Sequence, residues 1–466
     1  MTPSYAALFR SPYRALMTAA LGATFLGSLD ALMVITALPT AAQDIGGVDL
    51  ISLAIGATTV TIVITLPVAG AVIDRWGTAR SFAIACVLFA AANVMGGLAE
   101  SMPMVALSRA ILGLGAGFMF AVPLGFFALY VPDSLRPRAF GLNAAMWGVS
   151  AVIGPALGAA LTGSVGWRWV FWINLPLIVV VAWAARMALR SHVQRRPVSE
   201  APLNIVGPTL LAASVLFLLL SARDIVFAAA ALPPALLFLW HERRTKVPVF
   251  THRRVSIAVN LTALAGGAAF LGAEVYLPLQ LQVGYGEPVG VVALALVLTT
   301  LGWTTGSMTS ARLDIDPTDQ IMIGSTIVFV ATLCMAIPSD WAAVPIVAYA
   351  FSGLGMGIMS PAMFSVILRD GVEGYEGRST SSIPLARQIG AGLGTAVAGI
   401  VFVTSLSDQA IRLSEREGAH VPAVIGAARH TYLAAALLGL IGVIACRWLR
   451  RQREPAIAAG HEQAPA

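Results

Sequence analysis

The chain has 466 residues, of which 58% are hydrophobic and 11% charged, with a formal net charge of +6. Mean hydropathy is +0.82, whereas an ordinary soluble domain carries about 25% charged residues, so polar groups cannot cover this surface and the surrounding solvent must be lipid. The basic residues sit in short loops between apolar runs, which excludes a nucleic-acid surface, and Lys246, the one lysine beside 28 arginines, lies in Arg-Thr-Lys-Val-Pro rather than in a nucleotide-binding Gly-Lys-Ser/Thr.

A bilayer core of about 30 Å needs about 20 apolar residues of helix. Backbone groups in lipid must bond internally, so each apolar run predicts a helix. The first run, 16–38, follows Arg10 and Arg14 and is too long for a signal-peptide core of about 7–15 residues. It is read as a spanning helix and carries Asp30. Runs at 51–73 and 81–99 follow, joined by the loop Gly70-Ala-Val-Ile-Asp74-Arg75-Trp-Gly77-Thr-Ala-Arg80. In this loop a glycine makes the turn. Asp74 is placed to oppose the positive N-terminus of a neighbouring helix. Arg75 and Arg80 are expected to bridge to Asp133, so that the cluster holds one conformation shut; plain positive-inside topology is the competing reading of the arginines.

The run 104–130 contains Arg109, a guanidinium that needs buried acceptors. The run 139–161 contains Gly148, Gly154, Pro155 and Gly158, read as a hinge or seal against the alternative of an inert kink. Then come 167–189, a short pair at 203–221 and 224–240, and 257–282 with Glu274. The last runs are 288–310, 320–338, 342–367, 384–405 and 430–448, giving fourteen expected spans. Arg387, close to the start of 384–405, is read as snorkelling to the cytoplasmic surface.

Arginine placement sets the expected orientation. With the N-terminus inside, cytoplasmic segments hold 22 basic residues and outer loops five. Both termini are therefore expected in the cytoplasm of a bacterial cytoplasmic (inner) membrane. The expected organisation is a cytoplasmic N-terminus at 1–15, a six-helix bundle at 16–190, two inserted transmembrane helices at 203–240, a second six-helix bundle at 255–448 and a disordered cytoplasmic tail at 451–466. Gly113, Gly115 and Gly117 have counterparts in Gly353, Gly355 and Gly357 and again in Gly390, Gly392 and Gly394. Small residues at such spacing let helices approach closely.

Asp30 and Glu274 are the acidic residues placed well inside spans. A charge there costs several kcal/mol unless it faces a cavity or a partner. They point to proton coupling or to binding of a cationic substrate, with a structural ion pair to Arg109 as the alternative. Cys86, Cys334 and Cys446 show no metal spacing, and no histidine pairs with a cysteine or carboxylate at metal spacing. No Gly-x-Ser-x-Gly elbow appears, so no enzyme, metal site or cofactor is expected.

These residues resemble the major facilitator superfamily, and in particular its fourteen-helix drug:proton antiporter branch. Gly70, Asp74, Arg75, Gly77 and Arg80 match the family's hallmark loop, with Thr78 and Ala79 departing from a usually basic pair. Ser28-Leu-Asp30 through Ala37-Leu-Pro39 is similar to the first-helix motif of the branch. Arg109 with Gly113 resembles the fourth-helix motif, with Leu112 where glutamine is common. Gly154-Pro155-Ala-Leu-Gly158 resembles the antiporter signature, with Ala159 replacing a second glycine. Trp167-Arg168-Trp169-Val-Phe171-Trp-Ile-Asn174-Leu-Pro176 and Tyr276-Leu-Pro278-Leu-Gln-Leu-Gln282 match further stretches of the branch.

The resemblance implies an all-α polytopic membrane protein with the major facilitator fold, two six-helix bundles plus two inserted helices. It implies alternating access and export of small amphipathic drugs or secreted metabolites in exchange for protons, driven by the proton gradient with no cofactor. Asp30, Glu274 and Arg109 would couple protons. Phe25, Phe118, Trp147, Phe270, Tyr276, Trp303 and Phe364 are the candidate lining of a substrate cavity. The expected partners are the substrate, protons and the lipid bilayer, with no nucleic acid and no nucleotide. Export of a lipid or biosynthetic product is the alternative within the class; a non-transporting sensor or scaffold, or a channel, lies outside it.

Overall fold

The computed structural model describes residues 5–47, 50–191, 202–220, 226–372, 374–405 and 422–461. Every regular element among them is helical. Numbered in chain order, the main helices of the first half are α1 Arg14–Ile45, α2 Ile51–Trp76, α3 Thr78–Gly97, α4 Met102–Tyr130, α5 Arg136–Ser164 and α6 Asn174–Ser191. The stretch 203–249 holds α7 Val206–Leu220 and α8 Leu232–Arg244. The remaining helices are α9 Arg254–Glu274, α10 Val289–Ser310, α11 Pro317–Met335, α12 Ala343–Arg369, α13 Glu376–Ser405 and α14 Pro422–His461. Among the described residues, 12 helices are long and apolar enough to cross a membrane, whereas Val206–Leu218 is a shorter apolar helix. The last helix continues into the stretch from 451 that reads as a tail.

Local sequence explains several boundaries. Gly77, at φ +84°, makes the turn between α2 and α3, a conformation open to glycine without a Cβ penalty. Asp316 accepts a hydrogen bond from the Thr318 amide at 2.7 Å and Pro317 opens α11, a capped start with proline in the first turn. Pro39, Pro67, Pro123, Pro155, Pro361 and Pro384 lie inside helices. Membrane helices accept such prolines because neighbouring groups re-satisfy the freed carbonyls.

The burial pattern is that of a protein solvated by lipid. Val179, Leu437 and Ile444 are exposed on helix surfaces, while Asp30, Asn93, Arg109 and Asn174 are buried. Two compact units are present. The first comprises Met1–Phe217, Ala229–Val249 and Gly371–Leu385; the second comprises Leu218–Ala228, Phe250–Asp370 and Ala386–Ala466.

Each unit uses its glycine triplet in the same way. In the first, a Cβ on Gly113 or Gly117 would meet Thr58, Thr61 or Thr65 of α2, while one on Gly115 would meet Leu88 and Phe89 of α3. In the second, Gly353 and Gly357 face Thr299 and Trp303 of α10, and Gly355 faces Gly324 and Ile327 of α11. Residues four apart share a helix face and residues two apart do not. One triplet therefore seats two neighbours at close range.

Candidate functional site

In the first unit, four helices deliver one polar residue each to a buried network. Asp30 comes from α1, Asn93 from α3, Arg109 from α4 and Asn174 from the first turn of α6. Asp30 is 0% exposed and Arg109 5%. The Arg109 guanidinium donates to Asp30 Oδ2 at 2.9 Å. Asn174 Nδ2 donates to Asp30 Oδ1 at 2.7 Å and to Asn93 Oδ1 at 2.8 Å. Asn93 Nδ2 in turn donates to the Phe89 carbonyl at 2.9 Å. Asn174 Oδ1 is buried without a hydrogen-bond partner among the described residues. The carboxylate thus holds a cation on one oxygen and an amide on the other, and the charge is paired inside an otherwise apolar bundle.

The α1–α5 packing beside Asp30 is also polar. Ser28 and Ser150 hydroxyls lie 2.6 Å apart, and Thr24 donates to Asn143 at 2.6 Å. Further along the same pair of helices, Gly158 lets α5 approach Thr36 and Met33 of α1, and Gly154 lies against Leu32. Gly148 is buried on α5, and Pro155 sits within a helix that continues to Ser164.

The loop between α2 and α3 meets the start of α13, again within the first unit. Asp74 Oδ1 accepts from the Gly377 amide at 2.7 Å and Oδ2 from the Arg378 amide at 3.0 Å. These are first-turn amides of α13, which lack partners inside the helix, and a carboxylate there is stabilising. Gly70 abuts Gly377 and Ser381, leaving no room for a Cβ. Arg75 and Arg80 are exposed at the same end of the helix pair. The expected bridge ran from Asp133 to these arginines; Asp133 pairs with Arg136, three residues on, at 2.5 Å. Asp133 lies in the turn just before α5 and Arg136 opens that helix, so the two side chains meet without a long reach.

In the second unit, Glu274 ends α9 and is half-buried; among the described residues it makes no ion pair. The Tyr349 hydroxyl is its electrostatic neighbour, although that hydroxyl makes no bond of full hydrogen-bond geometry. Tyr349 stacks on Phe270 with centroids 5.0 Å apart, and Phe270 meets Trp303 edge-on at 5.4 Å. Arg387 lies over Trp303, its Cζ 5.4 Å from the ring centroid. The snorkelling reading of Arg387 is corrected. Helix α13 starts at Glu376, eight residues before the expected boundary, so Arg387 lies about three turns in.

The aromatic candidates divide between the units. Phe25, Phe118 and Trp147 belong to the first, where Trp147 packs on Phe120 with centroids 5.3 Å apart. Phe270, Tyr276, Trp303 and Phe364 belong to the second, where Tyr276 stacks on Phe402 at 4.5 Å. Beyond Tyr276 the helix widens into a π-helical turn, Gln280–Gly284, and Gln280 Oε1 accepts from the buried Tyr432 hydroxyl at 2.8 Å. Such turns frequently mark functional positions. Sequence reading quoted Asn174 only as part of a motif and passed over Asn93. It also left Trp167-Arg168 without a role: both donate to Asp44 Oδ2 at 3.0 Å, and Arg168 also bonds the Ala99 carbonyl.

The family model described as Major Facilitator Superfamily matches residues 20–395. The chain belongs to that superfamily. An uncharacterised MFS-type transporter of Mycobacterium tuberculosis is 29% identical, over 84% of this chain and 60% of its own length. The chain thus spans about three fifths of that relative. Multidrug resistance protein 3 of Bacillus subtilis is 25% identical, over 82% of this chain and 79% of its own. The probable actinorhodin transporter of Streptomyces coelicolor is 28% identical, over 84% and 72%. Among solved structures, the human organic anion transporter MFSD10 aligns with a TM-score of 0.66 at 16% identity, covering 92% of this chain and 100% of that one. That likeness establishes the fold. The protein is a multi-pass membrane member of this superfamily.

Proposed function

We propose that the protein is a secondary active transporter that exports small amphipathic molecules in exchange for protons by alternating access. The observation that carries this reading is the buried Asp30–Arg109–Asn174 network. Proton binding at Asp30 would discharge the pair and release Arg109, so one proton could reset the packing of α1 against α4. Multidrug transporters among the relatives support the substrate class. Glu274 is the second acid of the proposal, placed beside an aromatic cluster rather than a cation.

Asp74 on the first-turn amides of α13 is the proposed gate contact, with Gly70 and Gly77 shaping the loop. The short helices α7 and α8 are proposed to cross as the inserted pair. They are anchored by Asn204, which donates to the Val247 carbonyl at 2.9 Å and whose Oδ1 lies 3.1 Å from His241 Nε2. Both termini would face the cytoplasm of a bacterial inner membrane, an orientation that the arginine distribution supports.

The test is proton flux in proteoliposomes under an imposed pH gradient, with a panel of amphipathic compounds. Substrate-triggered flux in the wild type that is lost in Asp30→Asn supports antiport. Substrate movement with no accompanying proton movement defeats it. The actinorhodin transporter among the relatives favours a second reading, export of a biosynthetic product through the same machinery. Transport of an aromatic secondary metabolite in preference to synthetic drugs would select it.

A further inference from the structure

Arg387 poses a problem that the proton-coupling network does not solve. Helix α13 has 30 residues, about 45 Å at 1.5 Å per residue. Arg387 stands eleven residues from its start, about 16 Å along it, inside any centred bilayer core of about 30 Å. A guanidinium at that depth faces a bundle interior or an aqueous cavity and needs acceptors. Yet among the described residues it makes neither a salt bridge nor a hydrogen bond.

Among the described residues its guanidinium lies instead over the face of Trp303, at 5.4 Å. Arg387 and Trp303 are both half-buried. Behind Trp303 the buried Phe270 and Tyr349 rings fix its plane. The main chain at Arg387 is fixed as well, because Gly267 of α9 abuts its carbonyl, and Gly390 abuts Leu264 one turn on. A planar cation is therefore held over an indole, with its five donors unclaimed by any acceptor among the described residues. That arrangement supplies fork-shaped donors for an anion and a flat apolar wall for a ring attached to it.

We infer that Arg387 and Trp303 form an anion-recognition subsite in the second unit, taking the carboxylate or similar acidic group of an aromatic organic acid. The assignment rests on the transport reading above and narrows its substrate class: the amphipathic molecule carries its charge as an anion at Arg387. Arg109 offers no equivalent site, since Asp30 already occupies it.

Equilibrium binding to the purified full chain in lipid nanodiscs, with no gradient, tests this. The probes are 2-naphthoate, naphthalen-2-ylmethanol and naphthalen-2-ylmethylammonium, which share a ring and differ in charge. The wild type should bind the naphthoate at least about tenfold more tightly than the alcohol and more tightly than the ammonium. Arg387→Gln should bring the naphthoate down to the level of the alcohol and leave the alcohol unchanged. Trp303→Leu should weaken acid and alcohol alike. Equal binding of acid and alcohol by the wild type overturns the proposal, as does full acid preference in Arg387→Gln. If Arg387→Gln does not fold, the wild-type comparison still decides, and Arg387→Lys should keep only part of the preference. Proton flux with cationic compounds and no acid preference would defeat this subsite alone. Acid preference without any substrate-triggered flux would defeat the export reading alone.

Discussion

Asn174 and Arg109 divide the Asp30 carboxylate between them, one oxygen each, at 2.7 and 2.9 Å. The acid is therefore locked from two sides by groups on two different helices, α6 and α4. Any event that changes its charge is felt by both helices.

Removing the cation should cost more than removing the pair. Arg109→Gln leaves a buried carboxylate without its partner and should lower stability by about 3–5 kcal/mol. The double variant Asp30→Asn with Arg109→Gln should recover most of that loss. Thermal unfolding in detergent reads both, and equal losses in the single and double variants would contradict the buried pair.

Asn174→Ala should cost about 1–3 kcal/mol, because it takes the amide donor from buried acceptors on Asp30 and Asn93. Substrate-triggered proton flux should fall as well. Asn174→Ser, which keeps a hydroxyl donor, should retain more of both. The paired measurements are thermal unfolding and liposome flux.

At the α13 start, Asp74→Asn removes the charge from the acceptor of the Gly377 and Arg378 amides. Hydrogen exchange at these two amides should accelerate roughly tenfold, an opening cost lower by ~1.4 kcal/mol. Exchange elsewhere in α13 should change less. Unaltered protection at 377 and 378 would mean that the carboxylate charge contributes nothing there.

Glycine positions separate into tight and open ones. Gly390→Ala drives a Cβ into the Leu264 carbonyl and should destabilise by about 1–3 kcal/mol or more. Gly426→Ala, with nothing within 4 Å, should be neutral or stabilise by up to about 1 kcal/mol. Both are read by thermal unfolding of the purified protein.

The legible parts of this protein were those that the bilayer penalises. A run of apolar residues can only be a helix, and Asp30 and Arg109 stood out because a charge in such a run demands an explanation. Asn93 and Asn174 were harder to see. An amide carries no charge, costs less to bury and occurs in helices for many reasons, so the second half of the network had no sequence signal beyond the motif around Asn174. Arg387 was misplaced for a specific cause: Pro384 looks like a first-turn proline, yet α13 passes through it, and the helix start moved two turns upstream. Arg136, only three residues from Asp133, was passed over as its partner in favour of the arginines of the distant loop.

The contact at the α13 start has an evolutionary corollary. Both donors are main-chain amides, and the abutting positions are the bare backbones of Gly70 and Gly377. Short of proline, no replacement at 377 or 378 deletes a donor. The acceptor side has a single chemical handle, so natural variation in how firmly this end is held should be written in the codon for Asp74 and in whether positions 70 and 377 stay glycine.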